Sequence, residues 1–163
     1  MKKRKVEPPG VAMKRMTSRT LEKLAGYTPE GNPPTGLVAR CELLFRTPID
    51  NFTPGDFRVL IGQKMGLEHL VPPALAVVER EPLVDADYYP GDLLGALLEV
   101  PLAFWSTHPQ QREQLLKVVQ EIEEPPKEVA ERIRGFLEGA VQHGLAPDRA
   151  RRSGRRISPA AGR

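Results

Sequence analysis

The fold of this chain is decided by the stretch FTPGDFRVLIGQKMGLEHLVP, residues 52–72. Thr53 is a favourable helix N-cap, and Pro54 suits the first helical position. Asp56 stands three residues after the cap, where a carboxylate meets free backbone amides and the positive end of the helix. A helix is therefore predicted to begin at Pro54.

Two glycines divide this stretch. Apolar residues recur at helical spacing before the division, at Phe57, Leu60, Ile61 and Met65. Gly62 and Gly66 disfavour a continuous helix, so the first helix should end near Lys64 and a second should begin near Leu67. Pro72 and Pro73 either kink the second helix or mark its true start. The amide of Gln63 either orders the turn or faces solvent.

Composition favours one small domain. The chain has 163 residues, one cysteine and three histidines. Cys41 lies among apolar helical neighbours and is expected to be a buried residue, and neither a disulfide nor a zinc signature is present. No apolar run approaches the roughly 18 residues of a membrane span, and the basic N-terminus is not followed by an apolar signal region. A cytoplasmic location is predicted.

Charge is distributed unevenly along the chain. Residues 1–16 carry six basic side chains and one acid, and residues 148–163 carry the same numbers. Residues 17–147 hold 12 Lys and Arg against 19 Asp and Glu. Both tails lack a periodic apolar face and are predicted to be disordered, which leaves an acidic domain over residues 17–147.

Helical periodicity also dominates the rest of this domain. Further helices are predicted near residues 20–24, 37–46, 90–98, 110–123 and 127–143, with Pro90 at a first helical position and a break over 101–109. Leu37 and Leu137 are placed on inward faces, and Glu128 is expected to pair with Arg132. No segment alternates in the manner of a strand. The expected fold is all-α, with about seven helices.

The segment between Leu83 and Asp92 is the most polar part of the domain. It contains Asp85, Asp87, Tyr88, Tyr89 and Asp92. As a carboxylate in a first helical turn, Asp92 favours a structural role, whereas Asp85 and Asp87 have no such role in the sequence. Two loop carboxylates do not supply the six to eight oxygens of a calcium site. No metal ligand set is predicted.

Catalytic motifs are also missing from the sequence. There is no glycine-rich phosphate loop after a strand, no nucleophile elbow and no Cys-His pair with an obvious third partner. The residues therefore predict no enzyme and no cofactor.

The central residues resemble the immunity proteins of bacterial contact-dependent growth inhibition (CDI) systems. The resemblance covers roughly residues 21–105 and departs at Pro73 and at the basic tails. It is carried by an ordered series of helix-boundary residues: Thr53, Asp56, Gly62, Gln63, Gly66, Leu67, Pro72, Tyr89, Pro90, Gly91 and Asp92. It implies a small cytoplasmic protein that binds and neutralises a toxin domain, often a nuclease, delivered by neighbouring cells.

The acidic domain agrees with that implication. A nuclease surface is basic, and complementary negative charge on an inhibitor accelerates association, although the same charge also serves solubility. Two other functions stay open on the residues alone. One is a nucleic-acid-binding regulator that uses the basic tails, although an acidic domain would repel DNA, and the other is a helical adaptor for partner helices.

A toxin-binding surface can be proposed from clustering in sequence. Tyrosine is enriched at interface hot spots, and carboxylates steer the encounter with a basic partner. The hypothesis centres on the loop and its acidic neighbours: Glu68, Glu79, Glu81, Asp85, Asp87 and Tyr89.

Overall fold

The structure is a computed structural model that describes residues 19–28 and 31–145. These residues form eight α-helices and one 3₁₀ turn, Ile49–Asn51, and contain isolated β-bridges but no strand. The predicted all-α fold is confirmed, whereas the predictions for the two tails, residues 1–16 and 148–163, fall outside the described residues. The helices are α1 (Leu21–Ala25), α2 (Gly36–Arg46), α3 (Pro54–Gly62), α4 (Leu67–Arg80), α5 (Asp92–Leu98), α6 (Leu102–Thr107), α7 (Pro109–Glu121) and α8 (Lys127–Gln142).

Helix α3 begins at Pro54, as predicted. The Asp56 carboxylate accepts a hydrogen bond from the Thr53 N–H at 2.9 Å, and the Thr53 hydroxyl accepts one from the Asp56 N–H at 3.3 Å. This reciprocal capping box satisfies two amides that the helix itself leaves unpaired. The sequence pattern at this helix start was therefore sufficient to locate it.

The division between α3 and α4 follows the two glycines. Gln63 is the exposed C-cap residue of α3, which matches the solvent-facing alternative. Gly66 precedes α4 with φ of 61°, and a Cβ at this position would lie 2.8 Å from a methyl group of Leu21. Glycine is required here both by the positive φ and by the close approach of α1.

Helix α4 runs through both prolines. It begins at Leu67, so Pro72 and Pro73 lie inside it and do not mark its start. Neither proline has an N–H, and the carbonyls of Glu68 and His69 therefore receive no helical hydrogen bond from the residue four positions on. The helix keeps its place in the core through Leu70, Val71, Ala74, Leu75 and Val78, which are buried.

The short helix α5 is the centre of the molecule. All seven of its residues are buried, and it packs against α3, α4 and α8. A helix that is enclosed on all sides must be apolar, and Asp92 is the exception. The helix begins at Asp92 and not at Pro90 as predicted, because Gly91 turns the chain with φ of 86° and Pro90 bridges back to Asp85.

Three further expectations were wrong. Residues 101–109 contain the helix α6, whose Trp105 is fully buried and packs edge-on against Phe136. Leu37 and Leu137 are 46% and 37% exposed, because α2 and α8 are outer helices with a free side. Arg132 does not pair with the Glu128 carboxylate, because its Nε atom donates a hydrogen bond of 2.6 Å to Glu99, the C-cap residue of α5. Among the described residues, no helix has both the length and the apolar character of a membrane span.

Candidate functional site

The loop of residues 85–91, called the Tyr88 loop below, folds around the carboxylate of Asp92. One Asp92 oxygen accepts the N–H of Ala86 at 2.9 Å, and the other accepts the N–H groups of Asp87 and Tyr88 at 3.0 Å each. Arg58 of α3 adds an ion pair at 3.3 Å, and the Asp92 side chain is only 1% exposed. A buried carboxylate is tolerated when it is paired and hydrogen-bonded in this way. Asp92 therefore has the structural role that its position favoured, as the organiser of the loop.

Asp87 is held against α3 by two arginines. Its carboxylate lies 3.5 Å from Arg40 and 4.0 Å from Arg58. It also lies beside Gly55, where a Cβ would come within 2.7 Å of the carboxylate. The sequence did not predict this structural role, because Arg40 and Arg58 belong to helices that are distant in the chain. Asp85 and Asp87 are both exposed, but Asp85 forms no ion pair with another described residue.

The two neighbouring tyrosines have different environments. Tyr88 is 70% exposed, and the guanidinium of Arg58 lies 4.1 Å from the centre of its ring. Tyr89 is half-buried, and its hydroxyl accepts a hydrogen bond of 2.6 Å from Arg132 of α8. The hydrogen bond to Glu99 is the main cause that raises the pKa of Arg132 above its ordinary value, although burial opposes it. Tyr88 is thus the available aromatic ring, and Tyr89 ties the loop to α8.

The three predicted glutamates do not join this loop. Glu68 lies in the first turn of α4 and Glu79 in its last turn. Eleven residues separate them, which corresponds to about 16 Å along a helix axis. Glu81 follows α4 and lines a cleft on another part of the surface. Of the predicted residues, the structure therefore brings together Asp85, Asp87 and Tyr89 within one loop.

A second acidic surface was missed by the sequence reasoning. This acidic cleft, of about 510 Å³, consists of four exposed glutamates around an apolar floor, with Arg80 at its edge. The glutamates are Glu81, Glu121, Glu123 and Glu124, and the floor is formed by Pro82, Leu83 and Ile122. Glu81 and Glu121 are 40 positions apart, so only the packing of α4 against α7 brings them together. In the described part of the chain, no group of His, Cys, Asp or Glu is arranged to hold a metal ion.

Fold and surface together define a helical protein whose polar groups are organised by ion pairs and caps. Comparison with known families identifies it further, because the family of CDI immunity proteins matches residues 27–115. The match covers more than half of the chain, which therefore belongs to this family and is an immunity protein for a CDI toxin. No curated protein and no solved structure matches the chain.

The family match includes the residues that organise the Tyr88 loop. Arg40, Arg58, Asp87 and Asp92 all lie within it, whereas Arg132 lies beyond its end. The motif residues fall into three structural groups: the capping box of Thr53 and Asp56, the interhelical break and helix start at Gly62, Gln63, Gly66, Leu67 and Pro72, and the loop end at Tyr89, Pro90, Gly91 and Asp92.

Proposed function

We propose that this immunity protein acts in the cytoplasm by binding its cognate toxin domain directly through the Tyr88 loop. The observation that supports this surface is the exposure of Tyr88 together with its fixed position. Arg58 stacks on the ring, and the backbone of the loop is held by Asp92. An aromatic side chain that is already positioned loses little conformational entropy on binding. Tyrosine and arginine are also among the residues that are enriched at binding hot spots.

The charges around Tyr88 favour a partner with exposed basic groups. Asp85 is exposed, and the carboxylate of Asp87 keeps 27% exposure despite its two arginines. A basic toxin surface, such as the nucleic-acid-binding face of a nuclease, would be attracted to this region. The proposed mechanism is occlusion of the active surface of the toxin, with no chemical step carried out by the immunity protein.

A binding experiment with two tyrosine variants tests this surface. The toxin domain encoded beside the immunity gene is titrated with the wild type, Tyr88→Ala and Tyr27→Ala. Tyr27 is the matched control, because it is 53% exposed and packs edge-on against Phe45 elsewhere on the surface. We expect Tyr88→Ala to raise Kd about 30-fold, corresponding to about 2 kcal/mol, and to reduce growth protection. Tyr27→Ala should leave Kd within about threefold of the wild type.

The contribution of charge is tested separately with Asp85→Lys. This change leaves the Asp92 hydrogen bonds in place and should slow association with little effect on dissociation, and the effect should weaken as salt is added. Wild-type affinity in both Tyr88→Ala and Asp85→Lys would place the interface elsewhere. Failure of the wild type to bind the co-encoded toxin would instead refute direct neutralisation.

A further inference from the structure

Helix α8 packs against α5 at two glycines that leave room for its side chains. A Cβ at Gly91 would lie 2.9 Å from a methyl group of Val129. A Cβ at Gly95 would lie 3.2 Å from the Cδ atom of Arg132 and 3.5 Å from the hydroxyl of Tyr89. This close packing brings the guanidinium of Arg132 to the Tyr88 loop.

The guanidinium of Arg132 is itself held in place. Its Nε atom donates a hydrogen bond of 2.6 Å to the Glu99 carboxylate, and its Nη1 atom donates one of 3.4 Å to the Glu128 carbonyl. The same Nη1 atom donates the 2.6 Å hydrogen bond to the Tyr89 hydroxyl. Because the guanidinium is planar and its donors have a fixed geometry, the hydrogen bond to Glu99 limits the directions in which Nη1 can point. Tyr89 therefore binds to a donor that is already oriented.

Tyr88 lies between two anchors of its loop. On the N-terminal side, the Asp92 carboxylate accepts the N–H groups of residues 86–88. On the C-terminal side, Arg132 binds the Tyr89 hydroxyl, and the Tyr89 side chain packs against the core. Since the two tyrosines are adjacent, a Tyr89 side chain that is held inward restricts the orientations open to Tyr88.

A different arginine contacts each tyrosine. Arg58 of α3 lies 4.1 Å from the centre of the Tyr88 ring, and Arg132 of α8 lies 5.8 Å from the centre of the Tyr89 ring. The loop is therefore held from two separate helices. Loss of the contact from α8 should give the loop more freedom even when Arg58 and Asp92 are intact.

We infer that Arg132 is a positioning residue for toxin binding. It holds Tyr89 so that the Tyr88 ring is presented in the orientation that the toxin binds, and Arg132 itself does not contact the toxin. The inference rests on the proposed function of the Tyr88 loop. Without the contact from α8, the loop has to be ordered during binding, and this entropic cost lowers affinity. Helix α8 thus contributes to the binding surface although it lies beyond the region that matches the family.

A double-mutant cycle in the full chain tests this role. Arg132→Met is compared with Arg134→Met, because Arg134 is exposed on the same helix and forms no ion pair with another described residue. With the co-encoded toxin domain, we expect Arg132→Met to raise Kd about fivefold and Arg134→Met to leave it within about twofold. In a Tyr88→Ala background, Arg132→Met should raise Kd by less than about twofold, because the ring that it positions is gone.

Two results of this cycle would overturn the inference. A full fivefold effect of Arg132→Met in the Tyr88→Ala background would show that Arg132 contacts the toxin itself. An equal loss of affinity in Arg134→Met would likewise assign the contact to the surface of α8.

Tyr89→Phe removes only the hydroxyl and provides a milder variant. It should raise Kd about as much as Arg132→Met, and the two changes together should be no worse than either alone, because both remove the same hydrogen bond. Additive losses would overturn the inference. A raised Kd in Tyr88→Ala with an unchanged Kd in Tyr89→Phe would refute the positioning role alone. An unchanged Kd in Tyr88→Ala would refute the proposed binding surface, and the positioning role with it.

A measurement without toxin tests the loop directly. Amide hydrogen exchange at residues 87–89 should be several-fold faster in Tyr89→Phe than in the wild type, because the loop opens more often when α8 no longer holds it. Exchange at these residues in Arg134→Met should match the wild type. Unchanged exchange in Tyr89→Phe would show that Arg132 does not restrain the loop and would refute the inference independently of toxin binding.

Discussion

The Tyr88 loop and the acidic cleft both contain clustered carboxylates, but they use them differently. In the loop, Asp92 accepts three backbone N–H groups and an arginine, and Asp87 faces two arginines. In the cleft, the carboxylates of Glu81, Glu121, Glu123 and Glu124 are exposed and form no ion pair with another described residue. Asp87 and Asp92 therefore determine structure, and the cleft carboxylates contribute only local negative potential.

This difference shows that acidic residues cannot be ranked as interface groups by number alone. A carboxylate that is already paired has little capacity left for a partner, but it can fix the position of a neighbouring side chain. In the loop, that neighbour is Tyr88, which is 70% exposed. The cleft offers charge without an exposed aromatic anchor among the residues that line it. The loop therefore meets the requirements of a binding hot spot better than the more acidic cleft.

The largest expected effect comes from Asp92→Asn. The amide cannot accept all three backbone N–H groups, and Arg58 loses its buried partner. Breaking a buried charge pair in this way lowers the free energy of unfolding by about 3–5 kcal/mol. Urea unfolding measures the loss in the free energy of unfolding. The rate of amide hydrogen exchange should increase most at residues 86–88. The control, Asp56→Asn at the capping box of α3, where the carboxylate is 18% exposed and lies 3.4 Å from Arg40, should lose only about 1 kcal/mol. A loss below that of the control would contradict the role assigned to Asp92.

Charge reversal should have opposite effects in the two regions. Asp87→Lys places a third cation beside Arg40 and Arg58, and we expect the free energy of unfolding to fall by about 1–2 kcal/mol. Glu123→Lys relieves repulsion among the cleft glutamates and should raise it by a few tenths of a kcal/mol, at roughly the scale of surface ion pairs. Chemical denaturation of both variants at low salt gives the sign of the change in the free energy of unfolding for each region. The same sign in both would show that the two regions do not differ in this respect.

A pair of glycine variants tests the close packing of the loop on α3. Gly55→Ala brings a methyl group against the Asp87 carboxylate and should displace it from its arginines, at a cost of about 1 kcal/mol. Gly62→Ala at the other end of the same helix meets no atom within 4 Å and should stabilise the protein by about 0.5–1 kcal/mol. Thermal unfolding separates the two. Stabilisation by both alanines would mean that Asp87 moves aside freely.

The smallest effect is expected for Cys41. This residue is buried, as Asp92 is, but hydrogen bonds like those to the Asp92 carboxylate do not stabilise its ionised form. Burial raises the pKa of its thiol above the ordinary value of 9.0, although Arg40 opposes the shift. The folded state therefore favours the neutral thiol, and its contribution to stability is present below pH 9 and lost as the pH rises through the folded pKa. Cys41→Ala should remove this part of the alkaline decline in stability. An identical decline in both proteins would refute it.

Several elements could be predicted from the sequence because their causes are local. The start of α3 follows from Thr53, Pro54 and Asp56, which lie within four positions of one another. The break before α4 follows from Gly62 and Gly66. The family resemblance rested on the same kind of residue, and the matched region confirms it. The helices α7 and α8 were also predicted, from the apolar periodicity of each helix and from the prolines between them, but α7 packs against α4 and α6, whereas α8 packs against α5.

The candidate site could be predicted only in part. Asp85, Asp87 and Tyr89 were assigned to one loop because they are adjacent in sequence, and they do share it. The greater exposure of Tyr88 had no sequence signal, since it depends on Arg132 holding Tyr89 from a helix 43 positions away. Similarly, Leu37 and Leu137 fit an apolar stripe, but an outer helix with a free side does not bury all of its stripe.

The sequence by itself determined the helical class and the starts of α3 and α4, because the local cap, proline and glycine residues that control these starts lie within a few positions of them. Only the tertiary structure decided which carboxylates are paired with basic side chains. Arg40 and Arg58 approach Asp87, and Glu81 approaches Glu121, through the packing of separate helices. An electrostatic interaction depends on distance in space and on burial, and neither can be read from separation along the chain.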